Sequence, residues 1–340
     1  MNRAADSVDA VIDRGLKAVE DENLERAEEA LEEAQRLVGE NHVRVLHLNG
    51  LIAWAEGRLE NAAGYLQQAV DLDSDYAEIY LDCAECLAAS GNDLQEAEAV
   101  LRTLLAREAV QAESKDQGKL LLAQIRLDDD DVEEALEVLE SISDERKTDP
   151  IYLSTRALVL EAGGQTEAAL RALEQAIAAD PEDSDLHYQL GLVRESHGDR
   201  EGAKVEMLKV LELDAESAGE RDPLESRESD ALRAQFEEEV LTEVPEPVLQ
   251  RVANAPILVQ TRPTREQVAD GVNPRTYVTF VGQPKMDEQE PRLDAIIIMR
   301  DLLLDEVDDD EDIVPLLFVG LLDELRAFFR MEGLQMATAS

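Results

Sequence analysis

Only two cysteines occur in 340 residues, so no disulfide framework carries this fold. Cys83 and Cys86 stand as C-x-x-C within LDCAECLAAS, a stretch of helical period. A redox or metal role would call for a strand-to-helix turn or a second ligand pair, and the sequence has neither. The two therefore read as small apolar side chains of a helix. Aromatic residues make up 4 % and tryptophan occurs once, which disfavours sandwich and barrel cores and favours helices packed through Leu and Ala. No uninterrupted apolar run approaches the ~18 residues that a membrane span needs. The opening MNRAADSVDA lacks an apolar signal-peptide core, and a cytoplasmic location is expected. Positive charge is scarce: 32 Lys and Arg face 78 Asp and Glu, for a net charge of −46. Such a polyanion has no cationic surplus with which to release counterions from nucleic acid or anionic lipid, so neither is an expected partner. A basic protein or peptide is, because long-range attraction would speed its arrival. Arginine outnumbers lysine 25 to 7. A GC-rich genome or a saline habitat would give the same bias, so recognition and habitat both stand as sources of the acidity.

What is abundant is internal repetition. A small residue followed four positions later by a large apolar one recurs at Ala27/Leu31, Ala62/Leu66, Ala97/Leu101, Ala135/Leu139, Ala169/Leu173 and Ala203/Met207, in steps of 35, 35, 38, 34 and 34 residues. Another apolar residue follows three positions on: Ala34, Ala69, Leu104, Ile142, Ala176 and Val210. This i, i+4, i+7 spacing marks one face of a helix, the second of a pair in each unit. About twelve residues upstream stands another small residue, Gly15, Gly50, Ala84, Ala123, Ala157 or Gly191, as two closely approaching helices require. Turn residues separate the helices of a pair at Gly57, Gly91-Asn92, Asp128–Asp131, Gly163-Gly164 and Gly198-Asp199. Asp149-Pro150 and Asp180-Pro181 are expected to close repeats, and an enlarged connection is expected near Glu108–Asp116.

These units resemble tetratricopeptide repeats, whose pattern spans ~34 residues. Ser184–Ala215, with Leu190-Gly191 and Gly198-Asp199, matches best, and Leu46–Ser74 comes next. The resemblance implies an all-α solenoid of about six helix–turn–helix repeats over residues 8–215, stacked around one continuous core. It also implies an inner face lined by the first helix of each pair. Carried over in register, the partner-binding residues are Arg44, His47, Leu51, Trp54, Leu81, Glu85, Leu120, Gln124, Leu158, Glu161, Tyr188 and Leu192. Trp54 is the residue type most enriched at binding hot spots, and helix packing is its competing role.

Residues 216–230 lose helical period and gather Ser, Gly, Pro and charge, and read as an acidic linker. The array is expected to fold alone when cut near Ala218. Beyond the linker, LRAQFEEEVLTEVPEPVLQRVAN suggests two helices, APILVQ, TYVTFVG and LDAIIIMR three strands, and DIVPLLFVGLLDELRAFFRMEG a closing helix. Helix, strands and helix in this order make a small α+β domain at 231–333, with a disordered tail at 334–340.

The order F-x-x-x-V, V-P-x-x-V-L, N-x-P-I-x-V and I-x-x-x-R-x-x-L-L before an apolar helix resembles the small bacterial zincin-like metallopeptidases. Their closing helix carries H-E-x-x-H, which holds Zn²⁺ and positions a general base. Here Asp323 stands at the first ligand, Glu324 at the base and Ala327 at the second ligand. Phe328 replaces a further histidine, and the downstream acidic position falls near Gly333. All four histidines, His42, His47, His187 and His197, lie in the repeats. The resemblance thus implies a degenerate domain with no catalytic residue, metal or cofactor. The acidic run Asp308–Asp312 lacks the glycine and closing glutamate of an EF-hand and reads as a solvated loop. The expected function is a protein-interaction scaffold with a catalytically inactive metallopeptidase-like domain. The alternatives are an active metal-dependent peptidase with an atypical site and a chaperone for a basic cargo protein.

Overall fold

Glycine and aspartate set the helix ends that punctuate the chain. In the computed structural model, which describes residues 2–72, 75–90, 94–219, 221–285, 291–307 and 313–330, six helix pairs succeed one another. They are α1 (Asn2–Glu20) with α2 (Leu24–Val38), α3 (Val43–Ala55) with α4 (Leu59–Asp71), and α5 (Ala77–Ala89) with α6 (Leu94–Ala106). Then come α7 (Ala112–Asp128) with α8 (Val132–Glu140), α9 (Pro150–Ala162) with α10 (Thr166–Ala179), and α11 (Ser184–Ser196) with α12 (Arg200–Ser217). Gly57, Gly164 and Gly198 turn the chain between helices at φ of 74°, 69° and 87°, where a Cβ would be strained. In the fourth pair Asp130 takes this conformation instead, at φ 60°, and Asp131 then caps α8 by accepting from the Glu134 N–H. Asn23 and Asp199 cap α2 and α12 in the same way. Asp149 caps α9 and Pro150 is its first residue, so this proline opens a repeat, where its missing N–H costs nothing, and does not close one. Gly91-Asn92, Asp308–Asp312, Gly333 and the tail 334–340 lie outside the described residues.

The chain divides into two compact units, Met1–Asp180 and Pro181–Ser340. In the first, five pairs interlock through the small residues noted above. A Cβ on Gly15 would sit 2.6 Å from Leu48 Cδ2, and one on Gly50 2.7 Å from Leu66 Cγ. Successive first helices, α1, α3, α5, α7 and α9, lie next to one another, so their outer faces form one continuous face. Cys83 and Cys86 are buried free thiols in the apolar cluster of α5, α6 and their neighbours, and burial pushes the Cys83 thiol up to about 12. The extra length expected near Glu108–Asp116 is mostly helix, since α7 begins at Ala112. The long connection is 141–149, after α8. Asp116 explains why that loop is ordered. It is 3 % exposed and accepts from the Ser143 N–H at 3.3 Å, the Ser143 hydroxyl and Lys119 Nζ at 3.1 Å. Burial alone would raise its pKa, but these bonds outweigh it and hold the carboxyl below the usual range.

The second unit joins the sixth pair to the mixed C-terminal region. Helix α13 (Ser226–Gln235) runs into a π turn at Phe236–Val240 and a 3-10 turn at Leu241–Glu243. Next in order are α14 (Glu246–Val252), β1 (Ile257–Gln260), α15 (Arg265–Ala269), β2 (Val278–Gln283), β3 (Arg292–Met299), α16 (Arg300–Glu306) and α17 (Ile313–Phe329). The strand order is β1-β3-β2, with β1 parallel and β2 antiparallel to β3. The central strand is buried from Ala295 to Met299, as its continuous apolar run requires. One sheet face, with Val278, Phe280, Ile296 and Ile298, packs on Phe236 and on Leu317, Leu321 and Leu325 of α17. Ile297 and Met299 on the other face meet Leu302 and Tyr277.

The stretch read as a linker is not loose. Arg221 Nη2 donates to Asp305 Oδ1 at 2.5 Å. Arg300, 4 % exposed, donates to Glu228 Oε2 and to the Asp222 carbonyl, both at 2.9 Å. Its polar composition resembles a linker because these residues pair with charged groups some 70–80 positions away, which local sequence does not reveal. The sixth pair is likewise bound to the C-terminal region, α12 packing on α15, so the compact units part at Asp180/Pro181 and not near 215.

Candidate functional site

The residues carried over to the inner face fall into three groups. Arg44, His47 and Leu120 are buried, at 7 %, 1 % and 6 % exposure. Arg44 Nη2 donates to Asp13 Oδ1 at 2.8 Å, Nη1 to Asp9 Oδ1 at 3.4 Å, and the guanidinium stacks 4.9 Å from the Tyr76 ring. His47 Nε2 lies 2.5 Å from Asp82 Oδ2. These two residues fasten α3 to α1 and α5 and are not free to meet a ligand. The signal for this was present in the sequence: Asp9 and Asp82 each stand one repeat length, 35 residues, from the side chain they pair with.

A second group stays open to solvent. Leu51, Trp54 and Leu81 are half-buried, and Trp54 and Leu81 lean on the same apolar cluster around Ala84 and Cys86. Glu85, exposed on α5, has its carboxyl pushed up by burial of its charge and by nearby Asp82. Gln124 is exposed, Glu161 half-buried, and Leu158 is 40 % exposed on α9. The register missed Ile151, 60 % exposed and seven residues before Leu158, hence on the same helix face. The first unit thus presents apolar side chains interspersed with carboxylates along adjoining first helices.

The third group is in the second unit. Leu192 is 41 % exposed. Tyr188 is already engaged: its ring lies 4.9 Å from the Arg275 guanidinium, and its hydroxyl accepts from Asn273 Nδ2 at 2.8 Å. Nothing in the repeat pattern points to Arg275, which is 87 residues downstream.

The positions that align with a zinc-binding helix lie on α17. Asp323 is exposed and pairs with Arg326 at 3.4 Å. Ala327 is exposed and offers no donor atom. Glu324 turns inward, where its Oε2 accepts from the Phe280 N–H at 3.0 Å. Burial is the main cause that pushes its carboxyl up to about 7, against the bonds from Phe280 and Thr279. Among the described residues no group of three or more His, Cys, Asp or Glu could hold a metal ion. The residues present do not fit zinc, which takes three or four nitrogen, sulfur or carboxylate ligands.

Models described as Tetratricopeptide repeat match residues 12–77 and 53–116, and one described as TPR repeat matches 158–198. Among solved structures, PilF of Pseudomonas aeruginosa is 16 % identical, covers 68 % of this chain and 99 % of its own, and has a TM-score of 0.52. MamA of Desulfovibrio magneticus RS-1 is 21 % identical and covers 52 % of this chain and 97 % of its own, with a TM-score of 0.43. YrrB, described as a tetratricopeptide protein with an unusual peptide-binding site, is 17 % identical and covers 55 % and 94 %, with a TM-score of 0.39. A search of curated protein sequences gives no match. These likenesses lend no support to a zincin-like fold for residues 231–333. Tetratricopeptide-repeat models thus account for residues 12–116 and 158–198, and over those stretches the helix pairs have the form of that repeat.

Proposed function

We propose that this chain is a protein-interaction scaffold whose first-helix faces in residues 1–180 take up a basic, partly apolar segment of a partner protein. The observation that carries this is the patch on α3 and α5, where half-buried Trp54 and Leu81 adjoin exposed Glu85. Glu85 sits beside Asp82 and is costly to ionise there. A partner's cation would relieve that cost, and its apolar side chains would cover Trp54 and Leu81. The net charge of −46 would attract such a segment over a distance set by ionic strength. Nucleic acid and membrane fit this surface poorly for the same reason. We assign the C-terminal region a structural role without catalysis, and the exposed Asp323, the donorless Ala327 and the hydrogen-bonded Glu324 support that assignment.

The test is kinetic. With a partner captured from the source cell, or a basic peptide selected from a library, Trp54→Ala should raise the dissociation rate about tenfold or more, as loss of a desolvated anchor does. Glu85→Gln should lower the association rate and flatten its salt dependence. If both variants bind as the parent does, the face on α3 and α5 is not the binding surface.

A further inference from the structure

In the second unit one guanidinium gathers polar groups from both helices of the sixth pair, Ser184 and Asp185 of α11 and Asp214 of α12. Arg275 Nε and Nη2 grip the Asp214 carboxylate at 2.8 and 3.0 Å, Nη1 reaches Asp185 Oδ1 at 2.6 Å, and Nη2 also donates to Ser184 Oγ at 2.8 Å. The cation lies over Tyr188, whose hydroxyl is held by Asn273 two residues before. Ser184, Asp185 and Tyr188 are all on α11, and Tyr188 is one of the residues carried over to the inner face. Arg275 comes from neither helix nor strand but from the loop between α15 and β2, in which Gly271 turns the chain at φ 103°. This is ligand-like geometry. A planar fork on one carboxylate, a second carboxylate at its side and an aromatic face beneath select guanidinium over ammonium, because lysine can satisfy only a point of that arrangement.

We propose that this face is an arginine-reading station, occupied in cis by Arg275, and that an arginine-bearing segment of a partner exchanges with it. The proposal rests on the reading of first-helix faces as binding faces. Two features favour exchange over a permanent latch. The assembly reaches solvent, with the Asp185 side chain 72 % exposed and that of Arg275 29 %. Beside it opens a cavity of about 680 Å³ in whose walls the carboxylates Asp185, Asp214, Asp305 and Glu306 outnumber the guanidiniums Arg262 and Arg275, room for an incoming chain where the balance of charge favours a cation.

The experiment uses the full chain and a fluorescently labelled hexapeptide with the sequence of residues 272–277, read by anisotropy at low salt. Versions with lysine or citrulline in place of its arginine serve as comparisons. Removing the resident side chain in Arg275→Ala should tighten binding of the arginine peptide by about tenfold or more, since competition with the tethered occupant is lifted. The lysine and citrulline peptides should gain far less, and Asp214→Asn added to Arg275→Ala should abolish the gain. Arg275→Lys, which keeps the charge but loses the fork, should give an intermediate gain and covers the case in which the alanine variant does not fold. Equal affinity of parent and variants, or no preference for arginine over lysine, would overturn the proposal. Because the probe reads a face in residues 181–340 and Trp54→Ala reads one in residues 1–180, failure here leaves the scaffold reading standing, and failure there is separately visible.

Discussion

Glu324 and Asp116 are both carboxylates drawn into the protein, and they respond to pH in opposite directions. Glu324 is raised to about 7, so folding favours its protonated form. The stability this supplies is complete below the unfolded value of about 4.3 and is lost as pH rises through about 7. Asp116 is held below its usual range, so its contribution is present above its unfolded value and is lost as pH falls. Glu324→Gln keeps an oxygen for the Phe280 N–H and removes the ionisation. It should therefore stabilise the fold at pH 8 by up to about 3 kcal/mol and gain little near pH 4. Denaturant melts at the two pH values check this. A variant no more stable than the parent at pH 8 would show that the buried carboxylate is compensated, and zinc-dependent casein cleavage that Glu324→Gln abolishes would show it to be a general base. Residue identities were readable in the sequence at this site, whereas the direction in which Glu324 points was not. That depends on Phe280, 44 positions away, leaving its N–H free on the strand edge.

Helix pairs were the most legible elements because their defining feature, a small residue against a large one, repeats on a fixed period. Gly50 and Gly64 separate the part of this pattern that packs from the part that does not. A methyl on Gly50 would stand 2.7 Å from Leu66 Cγ, while one on Gly64, in the middle of α4, meets nothing within 4 Å. Gly50→Ala should cost about 1–3 kcal/mol by overpacking, and Gly64→Ala should add about 0.5–1 kcal/mol by restricting the unfolded chain. Thermal melts of the two variants should move apart in opposite directions, and a shared sign would contradict the packing described. The three strands and the closing helix were legible too, from β-branched runs and helical period. The short helices α15 and α16 were not, since five and seven residues carry too little period to stand out. Also hidden was the burial of Arg44 and His47, because a register assigns a face but not the neighbour across it.

At the scale of the whole molecule, the point of division moves from the polar stretch after Ser217 to Asp180/Pro181. Residues 1–180 and 181–330 should each fold when produced alone, giving cooperative, helical circular-dichroism melts. A chain cut near Ala218 keeps α11 and α12 but loses α15 and Arg275, and leaves Asp185 and Asp214 without their cation. Its sixth pair should exchange amide hydrogens much faster than the other five. Full protection of α11 and α12 in that fragment would refute the division. The edges of the C-terminal sheet carry a last consequence. Glu324 takes the outward N–H of Phe280 on β2, and Arg233 Nε takes the carbonyl of Ile257 on β1 at 3.1 Å. Each outer strand therefore has a backbone group stoppered by a helix side chain where a foreign strand would begin to pair. While α13 and α17 stay docked, these two edge groups are closed to a foreign strand, and cross-β pairing that starts at either must wait for its helix to leave.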